Sequence, residues 1–181
     1  MKNLFLLNSK YGDIGGELKF DFMIYRKGAI GGLLDEYERV IIDLLRIIEA
    51  VSDDELIGVA DAQTGDENCR SIQTVLSHVV SSAYIYAIYI QSLSGVLMVR
   101  PEKIYHLSAE GYMGDLKRAF QFTVGVFEGV KDEELERLDA GDKIMTGWGQ
   151  LYDIEQLMEH AIVHILRHRR QIERFREILS L

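Results

Sequence analysis

Three of the five histidines in this 181-residue chain follow one another at steps of four, a spacing suited to metal chemistry. His160, His164 and His168 lie within the run EHAIVHILRH. Residues four apart are separated by about 40° around an α-helix, so the rings of His164 and His168 project the same way, one turn apart. Two imidazoles placed like this can bind one divalent metal ion, as they do in helical zinc motifs.

The helix face that carries these histidines is largely apolar. On a helical wheel His168 lies inside an apolar stripe, His164 lies near its edge and His160 lies toward the rim. The stripe consists of Leu157, Ala161, Ile172 and Phe175. Imidazoles in such a seam need polar partners or a metal. The alternative is a partly exposed polar seam whose histidines bond to water or to backbone carbonyls.

An earlier segment supplies a third histidine. His78 lies within residues 71–99, a stretch without Lys, Arg, Asp or Glu, and Ser71, Ser82 and Tyr89 lie within about 40° of it on a helical wheel. Taken alone, His78 is more typical of a core histidine whose hydrogen bonds are satisfied. Opposite a histidine pair it would complete three nitrogen ligands and leave coordination positions open, which is typical of catalytic rather than structural zinc sites.

Hydrophobic periodicity predicts the helices that must position these side chains. Four segments have helical apolar spacing, namely residues 33–48, 71–93, 108–130 and 154–179. Asp153, followed three positions later by Gln156, resembles a capping box that begins the last helix. Pro101 is the only proline, and long helices tolerate few. With no convincing strand alternation, the sequence predicts an all-α fold and a four-helix bundle.

The chain is interpreted as a single helical domain over residues 1–181, with the bundle in residues 28–179. Residues 1–27 are expected to form either an N-terminal arm or an extension of the first helix. Two acidic linkers separate the helices, residues 52–70, with one helical turn expected at 53–56, and residues 131–148. His106 lies in a further connection and is expected to be exposed.

Composition narrows the class of partner. The chain carries 20 Lys and Arg against 29 Asp and Glu, a formal charge of −9, which argues against binding to nucleic acid or to anionic membranes. Residues 71–99 are long enough to span a bilayer, but Gln73, His78 and Gln91 favour a buried helix instead. The N-terminus lacks the pattern of a signal peptide. We therefore expect a cytoplasmic protein that acts on a small molecule.

Several other residues are candidates for the surroundings of the metal or a pocket. Cys69 is the only cysteine, so no intrachain disulfide can form, and nothing near it in sequence would activate a thiolate. Trp148 is expected to pack in the core or anchor a loop, or else to cover a pocket. Five arginines near the end of the last helix predict a charged outer face, although Arg167 is nearest to the histidine side. The candidate neighbours of the ligands are Ser82, Tyr89, His160, Arg167 and Gln171.

The motif HILRHRRQI at residues 164–172 resembles the last-helix signature of the DinB/YfiT-like superfamily. In that signature a His-x3-His pair is followed by Arg and Gln and then by an apolar residue. VLSH at residues 75–78 is similar to the family's second-helix histidine, and the helix order is similar over residues 28–179. The resemblance implies an up-down-down-up bundle, often a homodimer, with a divalent metal on His78, His164 and His168. His160 would be a neighbouring or spare ligand.

The resemblance also bears on function. Relatives include transferases and isomerases that depend on a thiol cofactor, besides many members with no assigned activity. The leading interpretation is a metal-dependent transferase or hydrolase in which a divalent ion, zinc or nickel foremost, activates water or a low-molecular-weight thiol. The alternative is a non-enzymatic binding or stress-associated bundle that keeps the fold. Two features depart from the family pattern: Arg170 stands where many members have Gly, and the linker 52–70 is long.

Overall fold

The computed structural model describes residues 25–180, and within them the chain is predominantly helical. Its α-helices are α1 (Gly28–Glu49), α2 (Asp53–Ile57), α3 (Ile72–Ser92), α4 (Ala109–Phe127) and α5 (Ile154–Leu179). Short 3-10 helices occupy Glu67–Cys69, Asp132–Glu134 and Ala140–Asp142. Strands β1 (Ile144–Met145) and β2 (Leu151–Tyr152) pair antiparallel. The all-α prediction is confirmed, whereas residues 1–27, expected to form an N-terminal arm or an extension of the first helix, fall almost entirely outside the described residues.

The four long helices bury one shared apolar core. Helix α1 packs against α4 and α5, and α3 packs against the same two helices. Each helix contributes a fully buried side chain to this core, namely Tyr37, Leu76, Leu116 and Met158. Burying a side chain of this size stabilises the fold by about 1.5–3 kcal/mol. The core therefore holds α3 and α5, the two helices that carry histidines, at a fixed separation.

Contacts between helix ends fix how these helices lie side by side. Near the end of α5, Arg176 donates a hydrogen bond of 2.9 Å from its Nη2 to the carbonyl of Ala50, just after α1. Near the start of α3, Gln73 donates from its Nε2 to the carbonyl of His106, just before α4, at 2.9 Å. None of the helices within residues 25–180 is both long and apolar enough to cross a membrane.

The start of α5 is set by local chemistry. Asp153 accepts a hydrogen bond from the backbone N–H of Gln156 at 2.9 Å, and the Gln156 side chain accepts one from the backbone N–H of Asp153 at 3.2 Å. These reciprocal bonds satisfy N–H groups that the first helical turn leaves free. The predicted capping box and the predicted bounds of this helix are both confirmed.

The start of α1 is set by a distant residue. Asp132 accepts hydrogen bonds from the backbone N–H groups of Ala29 and Ile30, both at 3.0 Å. Gly28 has a φ of 78°, and a Cβ there would lie 2.2 Å from Asp132 Oδ2, so only glycine fits. Helix α1 therefore begins at Gly28, five residues before the predicted start, because its cap comes from the connection after α4.

Two details of the sequence analysis differ from the structure. The first is that no strand was expected, whereas the connection before α5 contains the β1–β2 hairpin. Its strands have two residues each and are too short to show an alternating pattern. His106 is half-buried rather than exposed, because its ring packs edge-on against Tyr112 and lies over the backbone of Gly111. Its Nε2 lies 2.6 Å from Oδ2 of Asp115.

Candidate metal centre

Helices α3 and α5 bring three imidazoles to one point. His78 projects from α3, and His164 and His168 project from α5, so that Nε2 of His164 lies 3.0 Å from Nε2 of His78 and 3.1 Å from Nε2 of His168. All three potential ligand atoms lie within 4.8 Å of one another. We call these residues the three-histidine cluster. The expected approach of His78 to the other two rings is confirmed.

The spacing of the cluster fits a shared metal ion. Imidazole nitrogens bind zinc at about 2.0–2.1 Å, so two such ligands at octahedral or tetrahedral angles lie about 2.9–3.4 Å apart. The two separations to His164 Nε2 fall within that range. The donor set, three neutral nitrogens, suits zinc, nickel, copper or iron more than magnesium or calcium.

Hydrogen bonding fixes which nitrogen of His168 is free to bind. The Nδ1 of His168 lies 2.8 Å from the side-chain oxygen of Gln171, so the ring carries its proton on Nδ1 and donates it to that oxygen. Its Nε2 then presents a lone pair to the centre of the cluster. The Nε2 atom of His164 has two short contacts, one with Nε2 of His78 and one with Nε2 of His168. A single N–H can make a linear hydrogen bond to only one of these neighbours. A metal cation, in contrast, can bind all three nitrogens at once.

Burial keeps these rings neutral. Desolvation is the main cause that lowers the pKa of His78 to about 4, and the neighbouring His168 and the cations of Lys103 and Arg167 contribute to this lowering. Desolvation is also the main cause that lowers the pKa of His164 and that of His168. Metal ions compete with protons for imidazole lone pairs. The cluster is therefore in its metal-binding protonation state at neutral pH.

One loop, the 3-10 helix Glu67–Cys69 with its N-cap residue Asp66, borders the cluster. Asp66 accepts hydrogen bonds at its Oδ1 from the backbone and side-chain nitrogens of Asn68, both at 2.9 Å. The thiol of Cys69 lies 3.6 Å from Asp66 Oδ2 and 4.0 Å from the Gln171 oxygen. Asp66 also raises the pKa of His78 electrostatically. Periodicity carries no signal for this loop, and the sequence analysis missed Asp66 and Lys103.

An aromatic wall extends from the cluster toward the hairpin. We define this wall as Tyr86, Trp148, Tyr152 and His160. The ring of Tyr86 meets His164 edge-on at 5.7 Å and His160 at 5.5 Å, and Trp148 stacks on His160 at 5.4 Å. The hydroxyl of Tyr152 lies 3.3 Å from Nδ1 of His160. The wall covers one side of the cluster with apolar ring surface.

Two further predicted neighbours support this wall. The hydroxyl of Tyr89 accepts a hydrogen bond of 2.8 Å from the backbone N–H of Gly147, which anchors the loop that carries Trp148. Ser82 is buried, and its interaction with Tyr86 lowers the pKa of that phenol. Burial is the main cause that raises the pKa of Tyr86 to about 12, so its phenol stays protonated. Tyr86 was missed because it lies about 80° from His78 on a helical wheel, outside the polar stripe.

The remaining candidates lie at the edge of the site. His160 stacks on His164 with ring centres 6.2 Å apart and is not among the three convergent ligand atoms. Arg167 is exposed, but its charge reaches the cluster and lowers the pKa of all three rings. Arg170 is exposed. Its side chain therefore faces solvent.

Comparison of the sequence with protein-family models and with curated proteins finds no match. Function is therefore inferred from the atoms of the site. These are three convergent imidazole nitrogens, an amide oxygen that orients one of the rings, and a wall of aromatic rings on one side.

Proposed function

We propose that this chain is a metal-dependent enzyme of the transferase or hydrolase type, with one divalent ion, zinc or nickel, on His78, His164 and His168. The observation that carries the proposal is the convergence of three imidazole nitrogens within 4.8 Å of one another, with both separations to His164 Nε2 at metal-ligand spacing. Three protein ligands leave positions open for a cosubstrate. When bound there, the ion lowers the pKa of water, or of a low-molecular-weight thiol, and supplies a nucleophile near neutral pH.

The neighbouring residues have separable roles in this proposal. Gln171 holds the His168 ring in the tautomer whose Nε2 binds. Tyr86 and Trp148, at the aromatic wall, exclude water from one side of the reacting group and contact the apolar part of a small-molecule substrate. Arg167, the exposed cation whose charge acts on all three rings, attracts an anionic part of that substrate.

The finer fold assignment is part of the same proposal. We propose an up-down-down-up four-helix bundle of the DinB/YfiT-like superfamily, in the cytoplasm and as a homodimer. The adjoining ends of α1 and α5 and the adjoining starts of α3 and α4 support this order. In such a bundle α1 and α5 run in one direction and α3 and α4 run in the other. The thiol cosubstrate and the dimer come from the sequence resemblance.

Metal analysis with matched histidine variants tests the metal centre. The purified chain is supplemented separately with zinc, nickel and manganese, dialysed, and its metal content is measured. We expect one equivalent in the wild type, none in His78→Ala and one in His160→Ala, because His160 lies outside the convergent set. A folded wild-type chain that retains no metal under any condition would contradict the proposal, as would equal metal loss in both variants.

A second candidate is a bundle that binds metal or a small molecule without turnover. One observation favours it: within residues 25–180 no carboxylate hydrogen-bonds to the three-histidine cluster, and both oxygens of Asp66 are already engaged. A general base is therefore not evident. Thiol-transfer and hydrolysis assays on the metal-loaded chain separate the two candidates. An enzyme loses turnover in His78→Ala, whereas a binding protein has no turnover to lose.

A further inference from the structure

A second candidate site, which we call the second cavity, lies against a face of α3 different from the one that carries His78. It encloses about 250 Å³ between α3, α4 and residues 101–104. Val80, Tyr84 and Ile104 form part of an apolar wall, and Ser77 and Ser81 line the cavity from α3. These serines lie about 60–100° around the helix from His78, so the cavity and the metal centre face different directions.

Two serine hydroxyls at this cavity lack hydrogen-bond partners within residues 25–180. Ser77 is 3% exposed and Ser81 is 5% exposed, and no atom of this described part of the chain lies within hydrogen-bond distance of either Oγ. A buried hydroxyl left unpaired costs about 1–3 kcal/mol, and a helical serine ordinarily bonds back to the carbonyl four residues earlier. Ser77 and Ser81 both depart from this pattern, although they lie one turn apart and line the same cavity. This indicates a ligand with atoms that can form hydrogen bonds with them.

Charge at the cavity favours a negatively charged ligand. Lys103 Nζ bonds to the neutral side chain of Asn68 at 2.5 Å and makes no ion pair with any residue of the described chain. Asp115 already pairs with Arg118 and with His106. Glu102, the other carboxylate at the cavity, is exposed to solvent. Among the charged groups that line the cavity, the ammonium group of Lys103 is therefore the one with which a negatively charged ligand can pair.

We propose that this cavity binds a small aromatic carboxylate. Its carboxylate accepts hydrogen bonds from Ser77 and Ser81 and faces Lys103, while its ring packs against Val80 and Tyr84. The size is adequate, because a cavity of about 150 Å³ holds benzene. The serines of the site lie on a different face of α3 from His78, and the ligand binds there without a metal ion.

Benzoate is the probe for this proposal. The full-length chain, freed of metal with a chelator so that the histidines cannot bind the probe through an ion, is titrated with benzoate. Amide chemical shifts are followed by NMR. We expect saturable shifts in residues of α3 and α4 that line the cavity. The double variant Ser77→Ala and Ser81→Ala weakens binding by at least about 100-fold, because each hydroxyl contributes one hydrogen bond to a charged group.

Matched variants separate binding from a general effect on the fold. Ser92→Ala changes the same residue type on the same helix, but its hydroxyl already donates to the Tyr89 carbonyl, so benzoate affinity is unchanged. Lys103→Met weakens benzoate but leaves benzyl alcohol, the neutral analogue, unaffected. Alanine favours helix more than serine, so the double variant keeps its fold, which circular dichroism checks.

Three results of the titrations would overturn the proposal. One is the absence of saturable shifts with benzoate, and another is a set of shifts confined to residues around His164 and His168. The third is equal affinity in the wild type and the double serine variant. A crystal soaked with benzoate that holds only water in the cavity would also contradict the proposal, because water alone then satisfies both hydroxyls.

Discussion

His106 and His164 are both half-buried imidazoles whose Nε2 contacts another ionisable side chain, but their partners differ in kind. His106 lies 2.6 Å from a carboxylate oxygen of Asp115, which also pairs with Arg118. His164 instead lies against two other imidazoles. The carboxylate pair is complete, because one partner donates and the other accepts. The three-histidine cluster gathers three electron-pair donors at one point, and this difference separates a hydrogen-bonded histidine from residues that could hold a metal ion.

Removing one histidine from each region gives the largest expected difference in zinc affinity. His164→Ala deletes the ring that contacts both other members of the cluster, so we expect zinc affinity to fall by at least about 100-fold, since loss of an outer partner alone costs 10–100-fold. His106→Ala leaves zinc affinity unchanged. Isothermal titration of the metal-free variants with zinc measures both. Comparable zinc affinity in the two variants would remove the distinction between the regions.

Acidic pH extends the comparison to the free energy of unfolding. The pKa of His78 is about 4 in the folded chain and about 6.5 when unfolded, so the unfolded state binds more protons between these values. The free energy of unfolding of the metal-free chain therefore falls as the pH decreases from about 6.5 to 4, and this loss is absent above that window. Denaturant titrations at several pH values measure the slope. His78→Phe makes the slope smaller but does not abolish it, because the pKa values of His164 and His168 are lowered as well. An unchanged slope would contradict the burial of a neutral ring at His78.

Gln171 is the orienting partner in the cluster. Replacing it with Met keeps the length of the side chain but removes the oxygen that accepts from Nδ1 of His168. We expect zinc affinity to fall about 10–100-fold, because the ring loses its fixed tautomer and orientation. Competition with a chromogenic chelator measures the change. Gln171→Glu, which keeps the acceptor, is the control and retains affinity near that of the wild type.

Asp115 is the corresponding partner of His106. Its replacement has the smallest expected effect, which is on the free energy of unfolding. Asp115→Asn removes the charge that pairs with His106 and Arg118, and we expect a loss of about 1 kcal/mol in the free energy of unfolding. Zinc affinity stays at the wild-type value. Thermal unfolding and zinc titration of this variant check both statements. A drop in zinc affinity here would show that the two regions are coupled.

Sequence reasoning succeeded where the controlling interactions are local. The bounds of α5 follow from the Asp153 and Gln156 cap and from apolar spacing, both of which act within a few residues. The shared face of His164 and His168 is a property of helix geometry alone. The place of His78 opposite them was also predicted, because a polar stripe on an otherwise apolar helix has few directions in which to face.

It failed where one element depends on another far away in the chain. The cap of α1 comes from Asp132, 103 residues after Ala29, and no periodicity reveals such a bond. The burial of His106 depends on its ring fitting over Gly111 and beside Tyr112. Tyr86 faces His164 only because α3 and α5 pack with a particular rotation.

The amino-acid sequence alone determined the helices, their apolar faces and the pairing of two histidines one turn apart, since these follow from hydrogen bonds and side-chain spacing within single turns. Tertiary packing decided the distances between nitrogens on different helices, the aromatic wall and the second cavity. Those features depend on how side chains from separate helices interdigitate in a close-packed core. A shift of about an ångström between α3 and α5 would move the imidazole nitrogens out of the spacing that a shared metal ion requires. The sequence pattern contains no information on a shift of that size.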